Sequence, residues 1–224
     1  MIVDDAAGVL TWPGCRNVRD LGGTPTTDGR RIRHGALLRS DRLTPADVPA
    51  ARAAGVSRIV DLRWARECER DPSPFASDPV YRNAPLLADP LGYNPPEDSY
   101  GPMLDHNAER MAVAVRLVAD APPGAVLVHC HAGRDRTGVL VALLLGLAGV
   151  GPAEIAADFA RTEGCGPLPM RNTLTHLDAH YGGSAGYLTA AGLDPALLAA
   201  VRSRLLPRAG PPGQAGPRQN TTST

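Results

Sequence analysis

The sequence predicts an α/β domain with a mostly parallel central sheet flanked by helices. Two β-branched apolar runs of buried-strand length, VSRIVDL (56–62) and AVLVH (125–129), alternate with helical segments. The segment after the second run, Gly138 to Leu147, is apolar on every side. Short continuous apolar runs suit strands covered on both faces, as in parallel sheets, and a helix that is apolar all round belongs in a core. With 224 residues, 43% of them apolar, the chain can form one domain that buries roughly 70% of its unfolded surface without disulfide or metal staples.

Along the chain, Arg31–Arg33 and Ala36–Arg39 read as short strands, with Asp28-Gly29 as a turn ahead of them. Thr44 and Pro45 open a helix as N-cap and first helical residue, and Gly55 closes it. The strand at 56–62 follows, then a Pro-rich stretch (71–79) and a long loop (84–105) containing five prolines. Loops of that length in a compact domain are usually functional lids or mobile segments. His106 to Asp120 has Ala108, Met111, Val115 and Val118 along one face, the pattern of an amphipathic helix. After the strand at 125–129 and the core helix, further helices are expected at Pro152–Glu163, Met170–Tyr181 and Pro195–Leu205, the last started by Asp194 and Pro195. Past Leu206 there is no large apolar side chain. Residues 1–206 are therefore expected to form the domain and 207–224 a disordered tail.

Charge and cysteine content narrow the function classes. The 23 basic residues balance 23 acidic ones, so no general pull toward nucleic acid or an anionic membrane is expected. Every basic residue is arginine, which excludes lysine Schiff-base chemistry. Cys15, Cys68, Cys130 and Cys165 form no close pair, the spacing of free thiols rather than of a disulfide framework or zinc site. No metal and no cofactor is expected. The N-terminus carries acid where a signal peptide needs basic residues, and the longest apolar run, Val139 to Val150, is too short to span a bilayer. These readings predict a cytoplasmic protein.

The chemistry concentrates between the strand at 125–129 and the core helix, in His129-Cys130-His131-Ala132-Gly133-Arg134-Asp135-Arg136-Thr137-Gly138. A loop that joins a buried strand to a helix N-terminus offers backbone N–H groups and the positive end of the helix dipole to an anion. Gly133 and Gly138 let the backbone curl closely, and Arg136 supplies a bidentate fork for phosphate oxygens. Cys130 sits at the base of this cradle, where a positive field favours the nucleophilic thiolate. Thr137 is placed to donate its hydroxyl to the sulfur and ease its departure. His129 is expected to hold the loop, while His131 and Arg134 ring the pocket mouth, where they would favour substrates bearing more than one anionic group.

This segment resembles the cysteine-based phosphatases, whose signature is His-Cys, five residues, then Arg followed by Ser or Thr. More narrowly, HCHAGRDRTG together with Asn17-Val18-Arg19-Asp20-Leu21-Gly22-Gly23, Arg39-Ser40-Asp41 and Val60-Asp61-Leu62-Arg63 resembles the bacterial tyrosine phosphatase family related to a secreted mycobacterial phosphatase. The resemblance covers about residues 12–180 and implies a tyrosine-phosphatase-like fold. It implies metal-free hydrolysis of phosphotyrosine, and in some members of phosphoserine, phosphothreonine and phosphoinositides, through a phosphocysteine. It also makes Asn17, Arg19, Asp20 and Asp61 candidate supporting residues. The family usually has Lys where this chain has Arg134, and the two cations differ in geometry.

In this reading Cys130 attacks phosphorus, while Arg136 and the amides of residues 131–136 hold the equatorial oxygens. An aspartic acid protonates the leaving oxygen. Asp135, inside the cradle, is favoured for that role, with Asp98 and then Asp89 or Asp105 on the long loop as competitors. The expected substrate is phosphotyrosine protein, with a phosphoinositide, nucleotide or phosphorylated biosynthetic intermediate as the alternative. A sulfurtransferase needs neither the Asp nor the Arg-Thr pair, and a non-catalytic phospholigand-binding module typically loses Cys or Arg. Both residues are present here.

Overall fold

A computed structural model describes Gly8 and residues 10–207 of the protein. The tail expected at 207–224 lies, apart from Pro207, outside the described residues. A five-stranded sheet organises the chain, in the order β1 (Arg19–Asp20), β2 (Leu37–Ser40), β5 (Ala125–His129), β3 (Val56–Asp61), β4 (Tyr81–Asn83). Only the β1–β2 pair is antiparallel; the other three pairings are parallel. The central strands β5 and β3 are buried on both faces, which is why they read as continuous apolar runs. Leu37, Val60, Val126 and Val128 face the main core, and Leu38, Ile59 and Leu127 face a second cluster with Leu10, Trp12 and Phe75. This is the period-two alternation of a pleated strand.

The main core is built on α5 (Asp135–Ala148), in which every residue from Val139 to Leu145 is at most 1% exposed. Burying one such Leu is worth about 1.5–3 kcal/mol. The helix stops where Gly149 turns left-handed at φ 91°. Around it pack α4 (Ala108–Ala119), α6 (Pro152–Ala160), α8 (Ser184–Ala190) and α9 (Pro195–Leu205), with α7 (Leu168–Tyr181) against α6 and α8. Asp194 caps α9 by accepting the Leu197 N–H at 2.8 Å. Among the described residues no helix is long and apolar enough to cross a membrane.

Several expected elements differ in detail. Arg31–Arg33 is no strand: Arg31 forms a single bridge to Pro25, and the Arg33 N–H turns away to the Leu205 carbonyl at 2.8 Å. The helix opened by Thr44 begins as a 3-10 turn (Pro45–Asp47) before α1 (Val48–Ala53). Its cap is inverted, because Asp47 Oδ2 accepts both the N–H and the hydroxyl of Thr44, each at 2.8 Å. The helix expected at His106–Asp120 is α4, and a further helix, α3 (Gly101–His106), occupies the end of the segment read as a long loop. Buried Asn107 divides them, its amide donating to the Met103 carbonyl and accepting the Ala88 N–H, each at 2.8 Å. The sequence reading also passed over β1, β4, α8 and α2 (Ala65–Arg70). All are short, so too few residues are present to show a period.

Register places the chemistry. Ser40, His129, Asp61 and Asn83 stand side by side across β2, β5, β3 and β4 at the carboxyl ends of those strands, the edge beyond which open α/β sheets bind ligands.

Candidate active site

Residues 130–134 form the loop between β5 and α5, and Cys130 at its base is 3% exposed. The helix begins at Asp135, three residues earlier than the sequence reading placed it, so its N-terminus abuts the loop directly. Donors from the N-terminal part of the chain hold three successive loop carbonyls. The Arg42 N–H donates to the His131 carbonyl at 3.0 Å, Asn17 Nδ2 to Ala132 at 2.9 Å, and Arg39 Nη2 to Gly133 at 2.7 Å. With its carbonyls drawn inward, the loop can offer N–H groups to an anion. Gly133 has φ +67°, and a Cβ there would lie 2.5 Å from the Ser40 carbonyl oxygen, so no other residue fits.

Beneath the loop lies a buried ionic cluster. Asp158 on α6 accepts Arg19 Nε at 2.7 Å through one oxygen and Arg39 Nη1 at 2.6 Å through the other. Thr162 Oγ1 accepts Arg19 Nη2 at 3.1 Å. Burial alone would raise the Asp158 pKa, but the two guanidinium groups outweigh it and hold the carboxyl below the usual carboxylate range. Removing one member of such a set strands a buried charge.

A second buried set surrounds His129, which is fully enclosed. Its Nδ1 lies 3.0 Å from the Cys130 carbonyl oxygen, and its Nε2 is 3.7 Å from Asp61 Oδ2. Burial pushes the imidazole below its ordinary pKa. Asp61 accepts from Arg63 Nη2 at 2.7 Å and from the Tyr81 hydroxyl at 2.9 Å. Burial works against this carboxylate too, yet His129 and Arg63 keep its pKa lowered.

At the mouth, Glu67 receives Arg136 through both oxygens, at 2.5 and 3.0 Å, and the guanidinium lies over the Trp64 ring, 5.1 Å from its centroid. Glu67 Oε2 also accepts the Trp64 N–H at 2.8 Å, so α2 is capped by the acid that fixes Arg136. Thr137 is buried, and its hydroxyl has no hydrogen-bond partner among the described residues. That leaves it available to a group in the cradle. Asp135 accepts the Tyr100 hydroxyl on Oδ1 and Arg134 Nε on Oδ2, the latter at 3.1 Å. Burial and the contact with Asp135 push the Tyr100 pKa upward, so the phenol stays protonated and donating.

Two clefts meet at the loop. The first, about 490 Å³, is walled by Trp64, Tyr93, Tyr100 and Phe159 and includes Arg134, Asp135 and Arg136. The second, about 410 Å³, opens at His131 and Ala132 and is lined by Arg16, Asn17, Arg42 and Arg134.

The structure thus gathers Cys130 through Thr137, His129, Asp61 and Asn17 at one place, with Arg19 acting through Asp158. Asp20 is not brought there: it braces a turn by accepting the N–H groups of Gly22 and Gly35 at 2.9 and 2.8 Å. Asp89 pairs with Arg66 at 3.0 Å, Asp105 with His176 at 2.9 Å, and the Asp98 carbonyl with Asn172 at 2.8 Å. None of the three lines the first cleft. Sequence reasoning missed Glu67, Trp64, Tyr100 and Asp158. Glu67 stands three residues after Trp64, the N-cap of α2, a capping position that a search for short helices could have found. Of the cysteines, Cys15, Cys68 and Cys165 are free thiols, and burial pushes all three up in pKa. Among the described residues no group of three or more His, Cys, Asp or Glu is placed to hold a metal ion.

Comparison with known proteins finds a matching family and several similar chains. Residues 10–168 match the sequence pattern of the tyrosine phosphatase family. The chain is 36% identical over 135 residues to a tyrosine-protein phosphatase of Nostoc commune, covering 53% of this chain and 44% of that protein. It is 31% identical over 197 residues to the triple specificity protein phosphatase PtpB of Mycobacterium tuberculosis, covering 69% of each. The chain therefore spans less than half the length of the Nostoc relative. Among solved structures it is similar to the core catalytic domain of the PP-IP phosphatase SIW14 from S. cerevisiae, with a TM-score of 0.46 and 14% identity over 70% of this chain and 82% of that one.

Proposed function

Because this chain belongs to the tyrosine phosphatase family, we propose that it hydrolyses phosphotyrosine in proteins through a phosphocysteine intermediate. The observation that carries the substrate class is the first cleft. Its aromatic walls, Trp64, Tyr93, Tyr100 and Phe159, meet Asp135 and Arg136 at the loop. They suit an aryl ring whose phosphate lies in the cradle.

In the first step Cys130 Sγ attacks phosphorus in line and the bond from phosphorus to the tyrosyl oxygen breaks. Arg136 and the loop N–H groups hold the three equatorial oxygens and their transition-state charge. Glu67 and Trp64 keep the Arg136 fork from rotating away. The leaving oxygen takes a proton from Asp135. Tyr100 holds Oδ1 of that residue and Arg134 holds Oδ2, which orients the carboxyl at the cradle. In the second step water attacks phosphorus, returns a proton to Asp135, and releases Cys130 as thiolate, aided by the Thr137 hydroxyl.

The test is kinetic. Cys130→Ser should abolish turnover of an aryl phosphate and of phosphotyrosine peptides while preserving vanadate binding, and chelators should leave the wild type active. A panel of phosphotyrosine peptides, inositol phosphates and nucleoside phosphates decides the substrate class. Preference for the last two groups would refute the protein-substrate reading, and metal-dependent activity in Cys130→Ser would refute the mechanism.

A further inference from the structure

The second cleft has a chemistry of its own. It adjoins the loop at His131 and Ala132, shares Arg134 with the aromatic cleft, and receives Arg16 and Arg42 from the chain segments that brace the loop. Resting on the phosphatase reading above, we propose that this cleft is an anion subsite. It would take an acidic group of the substrate peptide, a carboxylate or a second phosphate near the phosphotyrosine, on the guanidinium groups of Arg16 and Arg42.

The two arginines are poorly satisfied. Arg16 is exposed, and its guanidinium makes no hydrogen bond or ion pair with any of the described residues. Arg42 pairs with Asp71 at 3.0 Å, but the two side chains are 39% and 49% exposed. Pairs that open to water are worth about 0–1 kcal/mol, so an incoming anion can take that guanidinium at little cost. Two acids also line the cleft. Asp41 spends Oδ1 on the N–H groups of Arg16 and Asn17, at 3.0 and 3.1 Å. That carboxylate fixes the backbone carrying Arg16 and is already occupied by donors. Glu163 accepts no hydrogen bond there and opposes an anion by charge.

The placement explains a division of labour between the clefts. A phosphate on the loop has aromatic surface on the Asp135 and Arg136 side and guanidinium groups on the His131 side. A single aryl phosphate fills only the first. A peptide lying across the mouth engages both, and Arg134, common to the two, stands between the phosphotyrosine and the flanking acid. Contacts made equally in ground and transition states lower KM and leave kcat unchanged, which sets the expected signature.

The experiment compares three phosphotyrosine peptides that differ at flanking positions: neutral, glutamate-bearing and phosphoserine-bearing. Each is assayed with wild type, Arg16→Gln, Arg42→Gln, the double variant and Glu163→Gln. The wild type should favour the acidic peptides by about fivefold in KM, the range of an exposed ion pair, with kcat unchanged. The double variant should lose that preference, and Glu163→Gln should widen it. Hydrolysis of p-nitrophenyl phosphate should not change in the Arg16 and Arg42 variants, which shows that they fold. A stronger effect with phosphoserine than with glutamate assigns the subsite to a second phosphate; equal effects assign it to any carboxylate or phosphate. No acidic preference in the wild type, or one retained in the double variant, overturns the subsite while the phosphatase reading stands. Hydrolysis of p-nitrophenyl phosphate with no peptide turned over overturns the peptide substrate itself and the occupant proposed here.

Discussion

The buried guanidinium of Arg39 donates to the carbonyl oxygen of Gly133 at 2.7 Å, joining residues 94 positions apart in the chain. Arg39 is also held by Asp158. The curvature of the loop at residues 130–134 thus depends on a carboxylate on α6 that lines neither cleft.

Asp158→Ala should therefore unfold the protein more readily than its distance from the cradle suggests. Two buried guanidinium groups lose their counter-charge, a loss of about 3–5 kcal/mol, which for a chain of this size lowers Tm by roughly 10 °C. Calorimetry measures this, and an unchanged Tm would show the cluster to be dispensable.

The two buried sets together impose an acid limit. Asp158 and Asp61 both titrate below the ordinary carboxylate range in the folded state. A carboxyl with a depressed folded-state pKa stabilises the fold above its unfolded value of about 3.9. That contribution disappears as pH falls through the lower folded value. Denaturant midpoints should accordingly hold above about pH 5 and drop steeply below pH 4, with a shallower drop in Asp158→Asn. A flat profile down to pH 3 would contradict the assignment.

Gly133→Ala tests the loop itself. Alanine at φ +67° with its Cβ 2.5 Å from the Ser40 carbonyl oxygen must move the backbone. Displacements of the order of 1 Å in a reacting geometry cost about 100-fold in rate. Vanadate affinity and kcat should fall together; retention of both would mean that the cradle tolerates the shift.

Glu67→Gln removes the charge that fixes Arg136 while leaving an acceptor for the Trp64 N–H. The expected loss is about 10- to 100-fold in kcat, with Tm nearly unchanged. Because Glu67 acts by positioning, Glu67→Asp should restore part of the rate, and an equal loss in both variants would assign it a different role.

The leaving group identifies the acid. If Asp135 donates the proton, Asp135→Asn should slow phenyl phosphate by about 100-fold or more and an activated aryl phosphate far less. Tyr100→Phe should shift the basic limb of the pH profile, on which a general acid loses its proton. That selective pattern in Asp98→Asn instead would move the acid to the upstream loop.

Much of this was legible in the chain. The apolar runs gave β3 and β5 to within a residue, because strands buried on both faces have nothing polar to interrupt them. HCHAGRDRTG marked the loop, since glycines, an arginine and a cysteine between strand and helix have few other uses. What stayed hidden was long-range. Nothing near Glu67 or Tyr100 in sequence points to Arg136 or Asp135, and Asp158 on an ordinary amphipathic helix looks like a surface acid. Asp20 shows the converse, a residue within a matching motif whose work is to brace a turn. Arg31–Arg33 failed for lack of a partner strand, which local composition does not reveal.

The order in which the cradle is assembled along the chain has a consequence for synthesis. Arg19 and Arg39 leave the ribosome first and Cys130 much later, but the carboxylate that neutralises both arginines comes later still. A nascent chain that has just exposed Cys130 and Arg136 still has two unpaired cations under an unformed loop. Catalytic competence therefore waits for α6, so ribosome-bound chains ending before about residue 160 should carry the whole signature and hydrolyse nothing.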